Sequence, residues 1–192
     1  VPAKGSATVD VTVTAPAGLA DKGLFGGYVV ATSQADVKAL RVPYAGFKGD
    51  YQSIQVLAPT ATGFPWLAKF DGPNYTNQPG GATYTMAGPD IPYFLIHLDH
   101  QSRQMKLEAF DAVTNKSMHF VSLENYLGRS STATGFFGYT WDGTTFKKGG
   151  TPTPVPNGTY VVKVSVLKAL GDANNAADWE TWTSPAVTIS RP

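Results

Sequence analysis

From Tyr160 to Leu167 every second residue is apolar and Lys163 and Ser165 stand between valines, and a period of two fits a β-strand and not a helix. In an extended strand, successive side chains point to opposite faces of the sheet. One face of this stretch is therefore apolar, formed by Tyr160, Val162, Val164 and Val166. Asn157 and Gly158 come just before it and are typical of a tight turn. The same alternation at Thr8–Thr14 predicts a half-buried opening strand.

Further strands are predicted over Tyr28–Thr32, Leu40–Tyr44, Ile91–Leu98, Met105–Asp111, Phe136–Trp141 and Ala186–Ile189. The nearly all-apolar Ile91–Leu98 is expected to be a central strand buried on both faces, forming a hairpin with Met105–Asp111. Residues 53–88 are rich in Pro, Gly and aromatic residues without clear periodicity, which predicts long irregular structure, with short strand pairings as an open alternative. Since no segment has a convincing amphipathic helical pattern, we predict an all-β sandwich with long loop insertions.

The composition narrows the classes of partner. Charged residues make up 15% of the chain against about 25% in typical proteins, and the net charge of +1 gives no electrostatic case for nucleic acid or an anionic membrane. No apolar run approaches the roughly 18 residues of a membrane span. Three N-glycosylation sequons, at Asn74, Asn115 and Asn157, favour a secreted protein. The first residues lack the pattern of a signal peptide, so we expect a mature or excised piece.

The residues that carry chemistry in other proteins do not form a recognisable catalytic motif. A base and nucleophile would have to come from His97, His100 or His119 with Ser102, Ser117, Ser122 and Asp99, but the sequence has no Gly-x-Ser-x-Gly elbow. His97 and His100 suggest a metal site, yet side chains three apart on a strand point to opposite faces. Without cysteine there is no thiolate site. We predict no catalytic residue, cofactor site or metal site.

Aromatic residues in the Pro- and Gly-rich segment are the remaining candidates for binding. Trp66, Tyr75 and Tyr84 lie near Gly, Asn and Pro, and exposed rings of this kind can stack on a sugar or contact a protein partner. Burial in the core is the competing interpretation and the favoured one. A free-standing secreted recognition module, lectin-like and binding glycan or protein, is therefore kept as an alternative function.

Four motifs in a fixed order resemble a known family: Val42–Tyr51, Trp141–Gly143, Val155–Tyr160 and Trp182–Pro185. They resemble the fibronectin type III-like domain that follows the catalytic domain in large secreted subtilisin-like serine proteases, including those of fungi and bacterial cell-envelope proteinases. The resemblance covers nearly the whole chain. It implies one immunoglobulin-like or fibronectin type III-like β-sandwich domain over residues 1–192.

The same resemblance implies a function. The His-Gly-Thr and Gly-Thr-Ser-Met segments that carry the subtilase triad do not occur in this chain. A non-catalytic accessory domain is therefore expected, secreted together with the protease catalytic domain of its parent chain. Its role would be to stabilise or orient that domain and to help position protein substrates.

Overall fold

A computed structural model describes residues 4–33 and 39–192. The chain is 45% strand and 3% helix, which confirms the all-β prediction. It divides into two compact units, unit 1 at Val1–Ser53 and unit 2 at Ile54–Pro192. The prediction of a single domain over residues 1–192 stays a prediction. No helix within the described ranges is long and apolar enough to cross a membrane.

Unit 1 is built on an antiparallel two-stranded ribbon. Its elements are β1 (Leu24–Thr32), β2 (Ala39–Phe47) and a short 3-10 turn (Tyr51–Ser53). The register runs from Leu24 opposite Phe47 to Thr32 opposite Ala39, so the strands predicted at Tyr28–Thr32 and Leu40–Tyr44 are confirmed. Gly46 leaves room for the ring of Phe25 on the paired strand, since a Cβ there would lie 2.3 Å from Cζ of Phe25 and the ring would have to move.

Both faces of the β1–β2 ribbon carry exposed apolar side chains. Leu24, Tyr28 and Val30 share one face, and Leu40 and Val42 share the other, with exposed fractions between 50% and 77%. An isolated two-stranded ribbon is marginally stable in water, because it has no second layer on which to bury a face. The ribbon therefore has the surface of a sheet that packs against another layer.

The predicted opening strand at Thr8–Thr14 was wrong. Residues 5–16 form no strand in the structure, and Val9, Val11 and Val13 are 79%, 54% and 41% exposed. Alternation determines which side chains share a face of an extended segment, but a strand also needs a neighbour for its backbone hydrogen bonds. Among the described residues this segment has no such neighbour.

Unit 2 contains the remaining elements. They are β3 (Trp66–Phe70), β4 (Tyr75–Asn77), β5 (Ala82–Tyr84), β6 (Tyr93–Ile96), β7 (Ser102–Asp111), β8 (Ser117–Leu127), β9 (Phe137–Thr140), β10 (Thr144–Thr145), β11 (Thr153–Pro154), β12 (Gly158–Lys168), a 3-10 turn (Ala176–Asp178), β13 (Trp179–Thr183) and β14 (Val187–Ile189).

Two sheets of unit 2 share one hydrophobic core. The larger has the order β5-β14-β12-β7-β8, with β13 also pairing with β12, and the smaller has the order β4-β3-β6-β9. All neighbours are antiparallel except β5 and β14. The core contains residues from both sheets, such as Leu67 and Phe94 from the smaller and Leu107 and Val164 from the larger. β10 and β11 form a separate short ladder.

The long strand β12 lies inside the larger sheet and confirms the strand predicted from the pattern at Tyr160–Leu167. Its predicted apolar face, Tyr160, Val162, Val164 and Val166, is buried in the shared core. β6 is buried on both faces as predicted, because Phe94 and Ile96 reach the shared core while Leu95 lies in a second, smaller cluster with Phe64 and Ala68.

One prediction for unit 2 was wrong. The expected hairpin between Ile91–Leu98 and Met105–Asp111 does not form, because β6 belongs to the smaller sheet and β7 to the larger. Residues 99–101 instead carry the chain from one layer to the other. In the segment 53–88, expected to be irregular with short pairings as the alternative, the structure has the short strands β3, β4 and β5. Strands of three to five residues separated by Pro and Gly are too short to show a clear period.

Candidate functional site

Two of the sequence motifs pack against each other at one end of unit 2. The Trp141 ring is 1% exposed and meets the Tyr160 ring edge to face at 5.6 Å. Its indole N–H donates to the Thr144 carbonyl at 2.7 Å, and the Tyr160 hydroxyl donates to the Pro156 carbonyl at 2.8 Å. Because both polar ends of these aromatic side chains are satisfied internally, these motif residues hold the fold and are not presented to a substrate.

Arg191 ties the end of the described chain to both motifs. Its guanidinium donates to the Gly143 carbonyl at 3.1 Å and to the Val155 carbonyl at 2.8 Å. Gly143 has φ of +79°, and a Cβ there would lie 2.1 Å from Arg191 Nη2. Glycine at 143 therefore meets two requirements, a left-handed backbone and a close approach by the guanidinium.

The Trp182–Pro185 motif fills a gap in the larger sheet. β13 and β14 pair with successive parts of the same edge of β12, and Pro185 has no N–H for the ladder between them. Within that gap the Ser184 hydroxyl accepts from the Val162 N–H at 2.9 Å, and the Ser184 N–H donates to the Val162 carbonyl at 2.9 Å. The Thr-Ser-Pro sequence thus satisfies a buried backbone that two separate strands leave unpaired.

Glu180 on β13 fixes the start of unit 2. Its two carboxylate oxygens accept from the Val56 N–H at 2.9 and 3.0 Å, and one of them also accepts from the Leu57 N–H at 2.7 Å. The Val56 carbonyl accepts from the Asp99 N–H at 2.9 Å. The carboxylate thus replaces a neighbouring strand for a segment that belongs to no sheet.

His97, Ser102 and Ser117, which were considered for catalysis, have different surroundings. His97 is 5% exposed, with Nδ1 2.6 Å from the Gly135 carbonyl and Nε2 3.9 Å from an Asp99 carboxylate oxygen. The buried Ser102 hydroxyl makes no hydrogen bond, and the Ser117 hydroxyl donates to Glu108. Neither serine is therefore paired with an imidazole.

Metal-binding side chains are also scattered. Over residues 4–33 and 39–192, no three or more His, Cys, Asp or Glu side chains come together in a group that could hold a metal ion. His97, the buried histidine of the sequence-predicted trio, instead has one ring nitrogen on a backbone carbonyl. His97 follows directly after β6 and is buried, and this arrangement fits a structural histidine.

The three sequons lie on exposed residues but differ in their side-chain contacts. Asn74 lies at the β3–β4 turn and Asn115 at the β7–β8 turn, where φ is +56°. The Asn157 amide instead pairs with the backbone of Arg191: Nδ2 donates to its carbonyl at 3.0 Å and Oδ1 accepts from its N–H at 3.1 Å. This two-bond pairing uses the amide hydrogen cis to Oδ1, the position that a glycan takes in a trans secondary amide.

The three predicted binding aromatics occupy different environments. Tyr84 is 0% exposed, and its hydroxyl donates to the Ala68 carbonyl at 3.2 Å, so its ring is not available to a ligand. Burial, with a smaller effect of the Asp90 carboxylate, raises the pKa of Tyr84 well above its usual range. Trp66 and Tyr75 are half-buried and lie on the outer face of the smaller sheet, which faces away from the shared core.

Trp66 and Tyr75 belong to a continuous group of rings that we call the outer aromatic cluster. Its members are Phe64, Trp66, Phe70, Tyr75, Tyr93 and Phe136, with neighbouring ring centroids 4.8 to 5.8 Å apart. Phe136 is 41% exposed. Each ring buries part of the surface of its neighbours. The aromatic side chains of the Pro-rich segment can therefore stay partly accessible without a covering layer.

Trp66 also lines a cleft of about 400 Å³ together with Trp182. Trp66 lies on β3 of the smaller sheet and Trp182 on β13 of the larger, so the cleft opens where the two layers meet. The sequence predicted Trp182 only as part of the Trp182–Pro185 motif and gave no sign of its position beside Trp66. Since the two residues come from different sheets, no local pattern could have paired them.

Comparison with known proteins assigns no relative. A scan against protein-family models finds no family that matches the chain, and a search of curated proteins finds no similar protein. The resemblance carried by the sequence motifs therefore stays a prediction.

Proposed function

We propose that this chain is a non-catalytic accessory region of a secreted subtilisin-like serine protease, with a fibronectin type III-like sandwich. It stabilises or orients the catalytic domain of the parent chain and helps to position protein substrates. The observation that carries the proposal is the pair of exposed apolar faces on the β1–β2 ribbon. Apolar surface of this kind marks a site of packing against another polypeptide.

The roles of the motif residues also support the proposal. Trp141, Tyr160 and Ser184 make contacts inside unit 2 that hold turns and strand ends. Residues used in this way serve the fold and not a reaction, which fits a scaffold without its own chemistry. His97 Nδ1 lies on a backbone carbonyl and the Ser117 hydroxyl donates to Glu108, so these side chains are also used inside the fold.

The first experiment is to determine the complete coding sequence of the parent protein. A subtilase catalytic domain in the same polypeptide is the expected result. A parent without such a domain would rule the proposal out and would favour the alternative, a free-standing secreted recognition module.

A second experiment tests the role of the ribbon in that parent. Val42→Thr and Tyr28→Ser make one residue on each face polar, and Val113→Thr is the matched control, because Val113 is 89% exposed at a turn of unit 2. The ribbon variants are expected to lower the Tm of the parent protease, whereas Val113→Thr is expected to leave it unchanged. If the catalytic domain keeps its Tm and its kcat/KM on casein when residues 1–192 are deleted, the stabilising role is wrong.

A further inference from the structure

The cleft between Trp66 and Trp182, here called the Trp cleft, has the composition of a binding site. Its apolar surface comes from the two indoles and from Pro65, Pro79 and Pro185, and polar groups come from Asn77, Thr183 and Ser184. Ligand sites are concave and mainly apolar, with a few polar groups that orient the ligand. Its two walls belong to different sheets, so the fold holds them at a set separation.

Several polar groups in the Trp cleft have hydrogen-bonding capacity left over. The Trp66 indole N–H is used by the Thr62 carbonyl at 3.0 Å, and the Ser184 hydroxyl is used by Val162 and Pro185. Within the part of the chain that the structure describes, no side-chain hydrogen bond is made by the Trp182 indole, the Asn77 amide or the Thr183 hydroxyl. These three groups remain available to a ligand.

The charge of the lining selects the kind of ligand. None of the residues that line the Trp cleft is acidic or basic. A charged ligand would lose hydration on entering without gaining an ion pair, and that cost is large. A neutral ligand with apolar faces and polar edges loses much less.

We propose that the Trp cleft binds a neutral oligosaccharide. Sugar rings have flat C–H faces that pack on indoles, and their hydroxyls both donate and accept hydrogen bonds. Asn77 and Thr183 each offer a donor and an acceptor, which matches hydroxyls. A proline-rich peptide, the other ligand that aromatic grooves bind, offers carbonyl acceptors but few donors, and would leave the acceptors of the cleft unused. This inference goes beyond the accessory role and does not depend on it.

The test uses the whole 192-residue chain, made in bacteria so that the sequons stay unmodified. It is applied to an array of neutral, sialylated and sulfated oligosaccharides, and the best neutral one is titrated by tryptophan fluorescence. Trp66→Ala, Asn77→Ala and Trp182→Phe are compared with wild type. Trp182→Phe keeps an apolar ring against the core and removes the indole N–H. The control is Trp179→Phe, because Trp179 lies outside the cleft with Lys106 Nζ 3.7 Å above its ring.

A neutral oligosaccharide is expected to bind with an affinity that does not depend on salt. Trp66→Ala should weaken binding about tenfold or more, Asn77→Ala and Trp182→Phe about three- to tenfold, and the control by less than about twofold. Because Asn77 is exposed, Asn77→Ala is expected to fold like the wild type. The proposal is overturned if no neutral oligosaccharide binds at millimolar concentration. It is also overturned by stronger binding of the sialylated or sulfated sugars, by binding of a proline-rich peptide instead, or by unchanged affinity in the folded Asn77→Ala and Trp66→Ala variants.

Discussion

Replacing Glu180 with alanine is expected to detach the segment at the start of unit 2. The carboxylate is the acceptor for the N–H groups of Val56 and Leu57, at distances of 2.7 to 3.0 Å. Val56 is 1% exposed and belongs to the shared core. Without the carboxylate, these donors either remain unpaired or move to water, and moving them to water withdraws Val56 from the core.

The size of the effect follows from the number and kind of bonds lost. A hydrogen bond to a charged group contributes about 1.5–3 kcal/mol, and leaving a buried donor unpaired costs about 1–3 kcal/mol. Part of this is recovered by water at the half-buried Glu180, so we expect Glu180→Ala to lower the free energy of unfolding by about 2–4 kcal/mol. Glu180→Gln keeps one carbonyl oxygen for the two donors and loses the charge, at a cost of about 1 kcal/mol.

Urea denaturation followed by fluorescence measures these differences, and thermal scans should show Tm lower by roughly 5–12 °C for Glu180→Ala. Glu124→Ala is the control, because the exposed Glu124 accepts one bond of 3.3 Å from Tyr139 and is expected to cost less than about 1 kcal/mol. Hydrogen exchange should accelerate at Val56 and Leu57. A loss below about 0.5 kcal/mol for Glu180→Ala, with unchanged exchange at these amides, would refute the reasoning.

Three further predictions concern the turns and the core. Gly143→Ala should lower the free energy of unfolding by about 1–3 kcal/mol, since its Cβ meets Arg191 and its φ is positive; a loss under about 0.5 kcal/mol in urea denaturation would contradict this. The raised pKa of Tyr84 means that its contribution to stability is complete below the ordinary tyrosine pKa of about 10 and is lost as pH rises above it. Tyr84→Phe should therefore flatten the fall of stability between about pH 9 and 11, and an unchanged slope would argue against a buried phenol. In a host that glycosylates, mass spectrometry should find less glycan at Asn157 than at the other two sequons, and equal occupancy would show that its pairing with Arg191 does not hinder modification.

The strands that the sequence predicts well are those whose burial agrees with their alternation. Along β12 a period of two places Tyr160, Val162 and Val164 on one face, and the shared core covers that face. The continuous apolar run around Phe94 and Leu95 likewise predicts burial on both sides, and the two clusters provide it. In both cases the local pattern contains the information that decides the structure.

Pairing between strands is not contained in a local pattern. β6 and β7 are close in sequence with a turn between them, yet they lie in different sheets. Turn residues such as those at 99–101 reverse the chain in a hairpin and also between the layers of a sandwich, so they do not distinguish the two. The larger sheet instead pairs β7 with β12 and β8.

The candidate site was predictable only in part, for the same reason. The sequence named Trp66, Tyr75 and Tyr84 as candidate binding aromatics, with burial as the favoured interpretation. In the structure the core encloses Tyr84, whereas Trp66 and Tyr75 are half-buried. A ring beside Gly and Pro is equally compatible with a loop and with a short strand such as β5. The position of Trp182 opposite Trp66 depends on how two sheets pack, and this is a property of the whole fold.

The contrast between two alternating segments bears on the proposed function. The valines of β12 are buried, whereas Val9, Val11 and Val13 have the same spacing and are 79%, 54% and 41% exposed. Burying a valine side chain contributes about 1.5–3 kcal/mol, so a covering layer on this segment and on the β1–β2 ribbon would add several kcal/mol. That gain is comparable with the total stability of a domain, about 5–15 kcal/mol. A polypeptide that supplies the layer would therefore bind unit 1 and stabilise it in the same step, which is the behaviour expected of an accessory region beside its catalytic domain.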